Sequence, residues 1–347
     1  MTAPEPLVYV VVLNWKGYAH TRKAIQSIAA NSYQNYRLIA VDNGSQDGSV
    51  EALQKEFPQF TFLVNEANLG FSKGCNVGIR EALKDDNCAY VLLLNNDATI
   101  LPDSLRAAVA FAENDPTMGA VSGKVLLSQP PHTIWYAGGR IDYWRAQAVI
   151  RGFGEIDRGQ YETPCDTGFV TGALMLISRA ALAKVGLLPE EYFFGVEEWD
   201  FSTRIQRAGL KLYYVPGFVA YHAADGSHWN YDPKFVYNAY RNKLIFQQAH
   251  LPRWLFPFWK AAFAFYGKYF ATRARKRLIK RGLFEVTQTV EFDHLDFALA
   301  KAIEDHGKNP MSEDVLNLFE RELREHFQTN GRPHAPGNAS RLLSDAD

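Results

Sequence analysis

The chain has 347 residues, enough for one large domain with additions or for two domains. Hydrophobic residues make up 47% and charged residues 22%, the balance of a globular protein and not of a disordered one. A net charge of -1 and a pI near 6.8 argue against a nucleic-acid binder. Cys75, Cys88 and Cys165 lack CxxC spacing and read as the reduced thiols of a cytoplasmic protein. The N-terminal MTAPEPLVYVVVLNW has no basic leader and only a strand-length apolar run, so no signal peptide is expected. No run of about 18 apolar residues is present to span a membrane.

The first half alternates strand and helix signals. Leu7 to Leu13 is a β-branched run suited to a strand covered on both faces, followed by a helix from about Thr21 to Asn31. A second strand ends at Val41 and leads into a helix from Ser49 to Phe57. FTFLV, SKGCNVGIREAL and AYVLLLNND then read as strand, helix and strand. Such alternation predicts parallel pairing with right-handed crossovers, and ligands of such sheets lie beyond the carboxyl ends of the strands. The segments there are NWKG, DNGSQDGS, NEANLGFSKG and NNDA, all rich in Asn, Asp, Gly and Ser. One polar loop is ordinary turn chemistry; four together mark a site. After Pro102 come a helix (AAVAFAEN), a strand (GAVSGKVLL) and an aromatic, Gly-rich stretch of irregular or hairpin character. GFVTGALMLISRAALAKVG gives a turn, a buried strand and a helix. EEWDFSTRIQRAG is a helix stopped by Gly209, before the strand KLYYVPG. From about Tyr231 the chain reads as mainly helical, and 329–347 as a disordered tail.

Neither GxxxxGK[ST] nor GxGxxG occurs, so a kinase or a dinucleotide dehydrogenase has little support. Asn95, Asn96 and Asp97 end a buried run with oxygen donors of the kind that hold Mg²⁺ or Mn²⁺ together with substrate phosphates. The ordinary alternative is that Asp97 or Thr99 caps a helix. Asp42 follows another apolar run and either reads a base or ribose or closes an Asx-turn with Asn43 and Gly44. Glu197, Glu198 and Asp200 crowd one helix start beside Phe193, Phe194 and Trp199. Asp200 can pair with Arg204 at i, i+4, while an acid held against aromatics gains proton affinity and suits a general base. His222 ends the apolar run FVAYH, as a structural histidine or as a neutral imidazole completing a metal shell with Asp97.

Taken in order, these motifs resemble the family 2 glycosyltransferases, inverting enzymes of the GT-A fold, and their rhamnosyltransferase-like branch, over about Leu7 to Asn242. The resemblance implies a Rossmann-like nucleotide-binding mixed sheet flanked by helices. It implies a GT-A domain over 1–230, with a nucleotide-sugar half to about 100 and an acceptor half beyond, then a helical extension over 231–328. VVLNWKG, VDNGSQDGS and NLGFSKGCNVGI resemble the nucleotide-facing loops, which assigns Asn14, Trp15, Asp42, Asn43, Asn68, Gly70, Lys73 and Asn96 to the donor. LLLNNDA stands at the metal motif, making Asp97, Asn95 and His222 the ligands of Mg²⁺ or Mn²⁺. TGALMLISRAALAKVGLLPEEYFFGVEEWDF resembles the acceptor side: Thr171, Gly172, Trp199 and Asp200 face the acceptor, and Glu198 or Glu197 is the base. Asn95 stands where many members carry Asp, and Glu198 where the base motif often reads Asp. The partners implied are a dTDP- or UDP-sugar and a glycan or lipid-linked acceptor of cell-surface polysaccharide synthesis.

A sugar nucleotidyltransferase and a non-catalytic nucleotide-sugar-binding module are the competing readings. In the extension, Leu251 to Phe270 combines two Trp, two Tyr and five Phe, and RARKRLIKR over Arg273 to Arg281 carries six basic residues and no acid. That pattern fits an interfacial helix on the inner face of the cell membrane, or a helix packed on the catalytic domain or on the partner of a homodimer.

Overall fold

The run LVYVVVLN forms strand β1 (Leu7–Asn14), and its alternate side chains enter two different cores. Val8, Val10 and Val12 join one apolar cluster, Tyr9 and Val11 the other. Continuous apolarity is therefore what a strand buried on both faces requires. The computed structural model describes residues 5–223, 232–267, 272, 275–276 and 291–329. The expected tail from 330 on, and most of the basic run 273–281, lie outside these residues.

Helix α1 (Tyr18–Ala29) follows β1, then β2 (Tyr36–Asp42), α2 (Ser49–Glu56), β3 (Thr61–Val64), α3 (Phe71–Ala82) and β4 (Cys88–Asn95). Next come β5 (Ala98–Ile100), α4 (Ser104–Ala112), β6 (Met118–Leu127), β7 (Ile134–Tyr136), β8 (Gly139–Asp142), β9 (Gln147–Ile150), β10 (Cys165–Asp166), β11 (Leu174–Ser178), α5 (Arg179–Val185), α6 (Glu197–Arg207) and β12 (Lys211–His222). The main sheet runs β10-β12-β6-β11-β4-β1-β2-β3, with β5 on β12 and β7 on β6, while β8 and β9 form a separate hairpin. Pairing is parallel from β3 to β4, antiparallel on both sides of β11, and parallel again between β6 and β12. The sheet is thus mixed, and the purely parallel pairing predicted from alternation holds only for its first half. Helices α1, α2 and α4 cover one face; α3, α5 and α6 cover the other. A Cβ on Gly74 or Gly78 would stand 2.6 Å from the side chain of Leu13 or Val11, so these glycines let α3 lie close on β1.

The strand order reverses at β1, which lies between β2 and β4. Such a switch point opens a crevice at the strand ends. The register sets Asn14 beside Asp42 and Leu13 beside Asn95. Beyond β12 the extension contributes α7 (Pro233–His250), α8 (Phe256–Gly267), α9 (Phe292–Glu304) and α10 (Glu313–Thr329). Asp232 caps α7 by accepting from Lys234 N (2.7 Å) and Phe235 N (3.2 Å), with Pro233 in the first turn. Helices α7, α9 and α10 share a core around Val236, Tyr237, Leu295, Leu299 and Phe319, which Phe193 of the loop before α6 enters, while Trp259 of α8 packs with Leu244 and Ala146 in a separate cluster.

Candidate active site

The strand-end row that the resemblance assigns to the donor is a single hydrogen-bonded unit. The buried Asn14 amide donates to Asp42 Oδ1 (2.7 Å) and Ser49 Oγ (3.1 Å), while Asn14 Oδ1 accepts from Thr21 Oγ1 (2.7 Å). Asp42 also accepts from Ser45 Oγ (2.6 Å) and Ser45 N (3.0 Å), so it does close its turn as it reaches Asn14. Asn43 donates to Asn68 Oδ1 (2.9 Å) and Gly70 O (3.1 Å) and accepts from Asn65 (3.0 Å), which joins the second loop to the third. Gly70 has φ +80°, and a Cβ there would lie 2.3 Å from Phe193 O. Asn96 donates to Thr21 Oγ1 (3.1 Å). Thr21, Ser45, Ser49 and Asn65 were not singled out from the sequence; small polar residues in first helical turns and loops carry no periodic signal.

At the end of β4, Asp97 and Thr99 cap no helix. Asp97 precedes β5 and Thr99 lies within it, and the antiparallel register of β5 on β12 sets His222 opposite Ala98. His222 Nε2 consequently lies 3.1 Å from Asp97 Oδ1 and 3.3 Å from the Asn95 amide. Its ring meets Trp135 edge-on at 4.9 Å, and its buried Nδ1 has no partner among the described residues. Burial pushes the Asp97 carboxyl up, but the bond to His222 and the nearby His20 outweigh it and hold it below the usual carboxylate range. Asp97 Oδ1, the Asn95 side chain and a neutral His222 nitrogen fit a hard or borderline divalent ion. No three His, Cys, Asp or Glu gather as a metal cage among the described residues.

The acidic pair begins α6 behind two residues at positive φ, Gly195 (+80°) and Val196 (+79°). For a β-branched residue that conformation costs on the order of 1–3 kcal/mol and persists only where the surroundings enforce it. Glu197 is buried, with Oε2 unpartnered, whereas Glu198 is half-buried. Burial, then the neighbouring Glu198, pushes the Glu197 carboxyl well up; burial also raises Glu198, against a hydrogen bond from Glu197 that lowers it. Of the two, Glu197 therefore holds its proton to the higher pH. Phe71 N donates to Phe193 O (2.6 Å), which brings this loop against the third donor-side loop.

The other acceptor-side residues divide. Thr171 is buried, with Oγ1 accepting from Ala173 N (3.3 Å), and Gly172 stands against the Phe71 ring; Asn95 N donates to Ala173 O (3.1 Å), so this segment adjoins the metal-side strand end. Trp199 packs edge-on against Phe246 of α7. Asp200 points inward: it accepts from Tyr192 OH (3.0 Å) and pairs with Arg204 (3.0 Å) and His250 (2.9 Å), which leaves it no free face. Trp15 is exposed beneath the Lys16 ammonium. Lys73 lines a surface groove with Arg80, Leu187 and Glu190.

The family model "Glycosyl transferase family 2" matches residues 8–186, more than half of the chain. The chain is 24% identical over 236 residues to an N-acetylglucosaminyl-diphospho-decaprenol L-rhamnosyltransferase of Mycobacterium tuberculosis, covering 61% of this chain and 75% of that protein. It is 24% identical over 194 residues to a poly-β-1,6-N-acetyl-D-glucosamine synthase of Staphylococcus aureus, 55% of this chain and 44% of the relative. Among solved structures it is similar to GalNAc-T7 with UDP, GalNAc and Mn²⁺ (TM-score 0.56, 17% identity, 96% of this chain and 59% of that one). It is also similar to the Pyrobaculum calidifontis mannosyltransferase PcManGT with GDP-Man and Mn²⁺ (TM-score 0.51, 18% identity, 88% of each chain). These likenesses establish the GT-A-like architecture that the motif resemblance implied. With the family model spanning β1 to the end of α5, the chain belongs to glycosyl transferase family 2 and is a glycosyltransferase.

Proposed function

We propose that this enzyme transfers a sugar from a nucleoside-diphosphate donor, dTDP- or UDP-linked, to a hydroxyl of a glycan or lipid-linked acceptor in cell-surface polysaccharide synthesis. One observation carries the reading: a strand-end row of amides and Asp42, an Asp97–His222 corner and a polarised Glu197–Glu198 pair are joined through loops in direct contact. Asn14, Asp42, Asn43 and Asn68 form the floor for the nucleoside. Asp97, His222 and Asn95 would hold Mg²⁺ or Mn²⁺; when bound, the ion supplies positive charge for the leaving diphosphate. Glu198 takes the proton of the acceptor hydroxyl as its oxygen attacks the anomeric carbon and the bond to the diphosphate breaks. A single displacement of this kind inverts the anomeric centre. Asp200, with its three inward bonds, keeps α6 in place and does not touch the acceptor. The rhamnosyltransferase and glucosamine-polymer relatives, and the UDP and GDP-Man in the solved neighbours, support the substrate class.

The test is a panel of dTDP-, UDP- and GDP-sugars incubated with Mg²⁺ or Mn²⁺, first without an acceptor and then with lipid-linked and glycan acceptors. Asp97→Ala is expected to abolish metal-dependent nucleotide binding in calorimetry while the fold is kept. Glu198→Gln is expected to lower turnover about 10²- to 10⁴-fold with nucleotide affinity retained. Unchanged metal-dependent affinity in Asp97→Ala, or loss of turnover in Glu197→Gln but not in Glu198→Gln, overturns these assignments.

A further inference from the structure

Three successive carbonyls precede the positive-φ residue Val196 and the acidic pair, and each is held by a donor from another element. Phe193 O accepts from Phe71 N at the start of α3 (2.6 Å). Phe194 O accepts from the amides of Asn238 (2.7 Å) and Asn242 (2.9 Å), and Gly195 O accepts from Asn242 again (2.8 Å). The two asparagines lie one turn apart on α7 and are almost wholly buried, at 1% and 0% exposure. Helix α7 lies beyond residues 8–186, so this support comes from the extension and not from the stretch the family model matches.

We infer that Asn238 and Asn242 are positioning residues for the glycosyl transfer: they impose the backbone path that presents Glu198. The physical reason lies at Val196. Without bonds from α7, a β-branched residue relaxes to negative φ, and the first turn of α6 rotates with it. The acidic pair follows directly on Val196, so a turn of that bond redirects both carboxylates. Burial of two amides beneath a loop is otherwise a simple way to satisfy orphan carbonyls, and the experiment separates the two roles. This inference rests on the reading of Glu198 as the base.

The full-length chain is compared with Asn238→Ala, Asn242→Ala, Val196→Gly and the Val196→Gly/Asn242→Ala double variant, with Glu198→Gln as the reference. The substrate is whichever nucleotide sugar the donor panel returns as turned over. Asn242→Ala is expected to lower kcat about 10- to 100-fold, since a displacement of about 1 Å at a reacting group costs about that much, with nucleotide affinity unchanged. Amide hydrogen exchange of the peptide covering 193–198 is expected to rise in Asn242→Ala while that of α3 stays the same. Glycine adopts φ near +79° without steric cost, so the loss caused by Asn242→Ala is expected to shrink in the Val196→Gly background. If the two losses simply multiply, or if exchange over 193–198 does not change, the positioning role is wrong. Asn238→Ala leaves both Asn242 bonds in place and is read in the same way should Asn242→Ala fail to fold. If Glu198→Gln keeps full turnover, it is the base assignment that fails, and the exchange measurement still decides whether α7 holds the loop.

Discussion

Glu197 and Glu198 are adjacent in sequence and alike in chemistry, so nothing in the string of letters says which one meets a substrate. Their surroundings separate them, because the first is sealed with an unpartnered oxygen and the second keeps partial access to solvent. A consequence for stability follows. An unfolded glutamate releases its proton near pH ~4.3, whereas the buried Glu197 holds its proton to higher pH. Between those two values the folded state binds more protons than the unfolded one, so stability falls as pH rises, and the full cost is present above the raised value. Glu197→Gln removes this titration and retains an N–H donor toward Glu198. The variant is expected to be more stable than the parent near neutrality, and its unfolding midpoint is expected to vary less between pH 5 and 8. Thermal unfolding across that range checks this; parallel pH curves for parent and variant would show that Glu197 does not titrate as described. With Glu198 as the proposed base, the acidic limb of the rate profile is expected above the ordinary glutamate range, since burial raises Glu198 too.

Among elements, long periodic segments were legible and short or strained ones were not. Strands β1, β2 and β4 and helices α2, α3 and α6 lie within a few residues of the expected spans, because apolar runs and periodicity act locally. Gly209, read as the stop of α6, has φ +76°. The two runs KLYYVPG and FVAYH proved to be one strand, β12, with a register shift between Val215 and Val219. At the shift a Cβ on Gly123 of β6 would stand 1.5 Å from Phe218 O, so the irregularity depends on a glycine in the neighbouring strand, which no local pattern reveals. Strand β5 has three residues and exists only because β12 offers an edge; it is nonetheless what brings His222 to Asp97. Family membership removes the nucleotidyltransferase and the non-catalytic module, neither of which periodicity alone could exclude. The junction of the donor loop with the loop before α6 gives the prediction at this scale. Gly70→Ala forces an L-residue to φ +80° and a methyl into Phe193 O. It is expected to lose at least about 1 kcal/mol of stability and to lower both nucleotide affinity and turnover, because one contact ties the proposed donor floor to the loop of the proposed base. Denaturant unfolding and calorimetry check this, and a variant with parent-like stability would show that the junction yields without cost.

At the scale of the whole molecule, α8 presents one face to the protein and another to solvent. Trp259 is buried with its indole N–H donating to Trp144 O (2.7 Å), and a Cβ on Gly267 would meet Leu299 of α9 at 2.2 Å. Trp254 and Phe258 stand 71% and 70% exposed one turn apart, with Phe265 exposed two turns further on. No Asp or Glu occurs from Pro233 to Phe284, while Lys and Arg recur throughout and crowd into 273–281. No helix among the described residues is long and apolar enough to cross a membrane. Exposed aromatics beside an acid-free basic stretch match the boundary of an anionic bilayer, where rings sit at the headgroups and each Lys or Arg near the surface contributes about 1 kcal/mol. The packed and exposed faces of α8 show that the two readings of this segment are not exclusive: it docks on the catalytic half and still offers a row of rings outward. A lipid-linked acceptor would then be met at the surface where it is anchored. The expected outcome is co-sedimentation with vesicles containing anionic lipid at low salt, weakened by high salt, by neutralising Arg273 to Arg281, and by Trp254→Ser with Phe258→Ser. Salt should act on the basic run and leave the aromatic contribution, so the serine variant is expected to reduce the binding that survives high salt. No binding to anionic vesicles at low salt overturns the bilayer assignment; a dimer in solution that the serine variant dissociates would assign the exposed rings to a second copy of the chain.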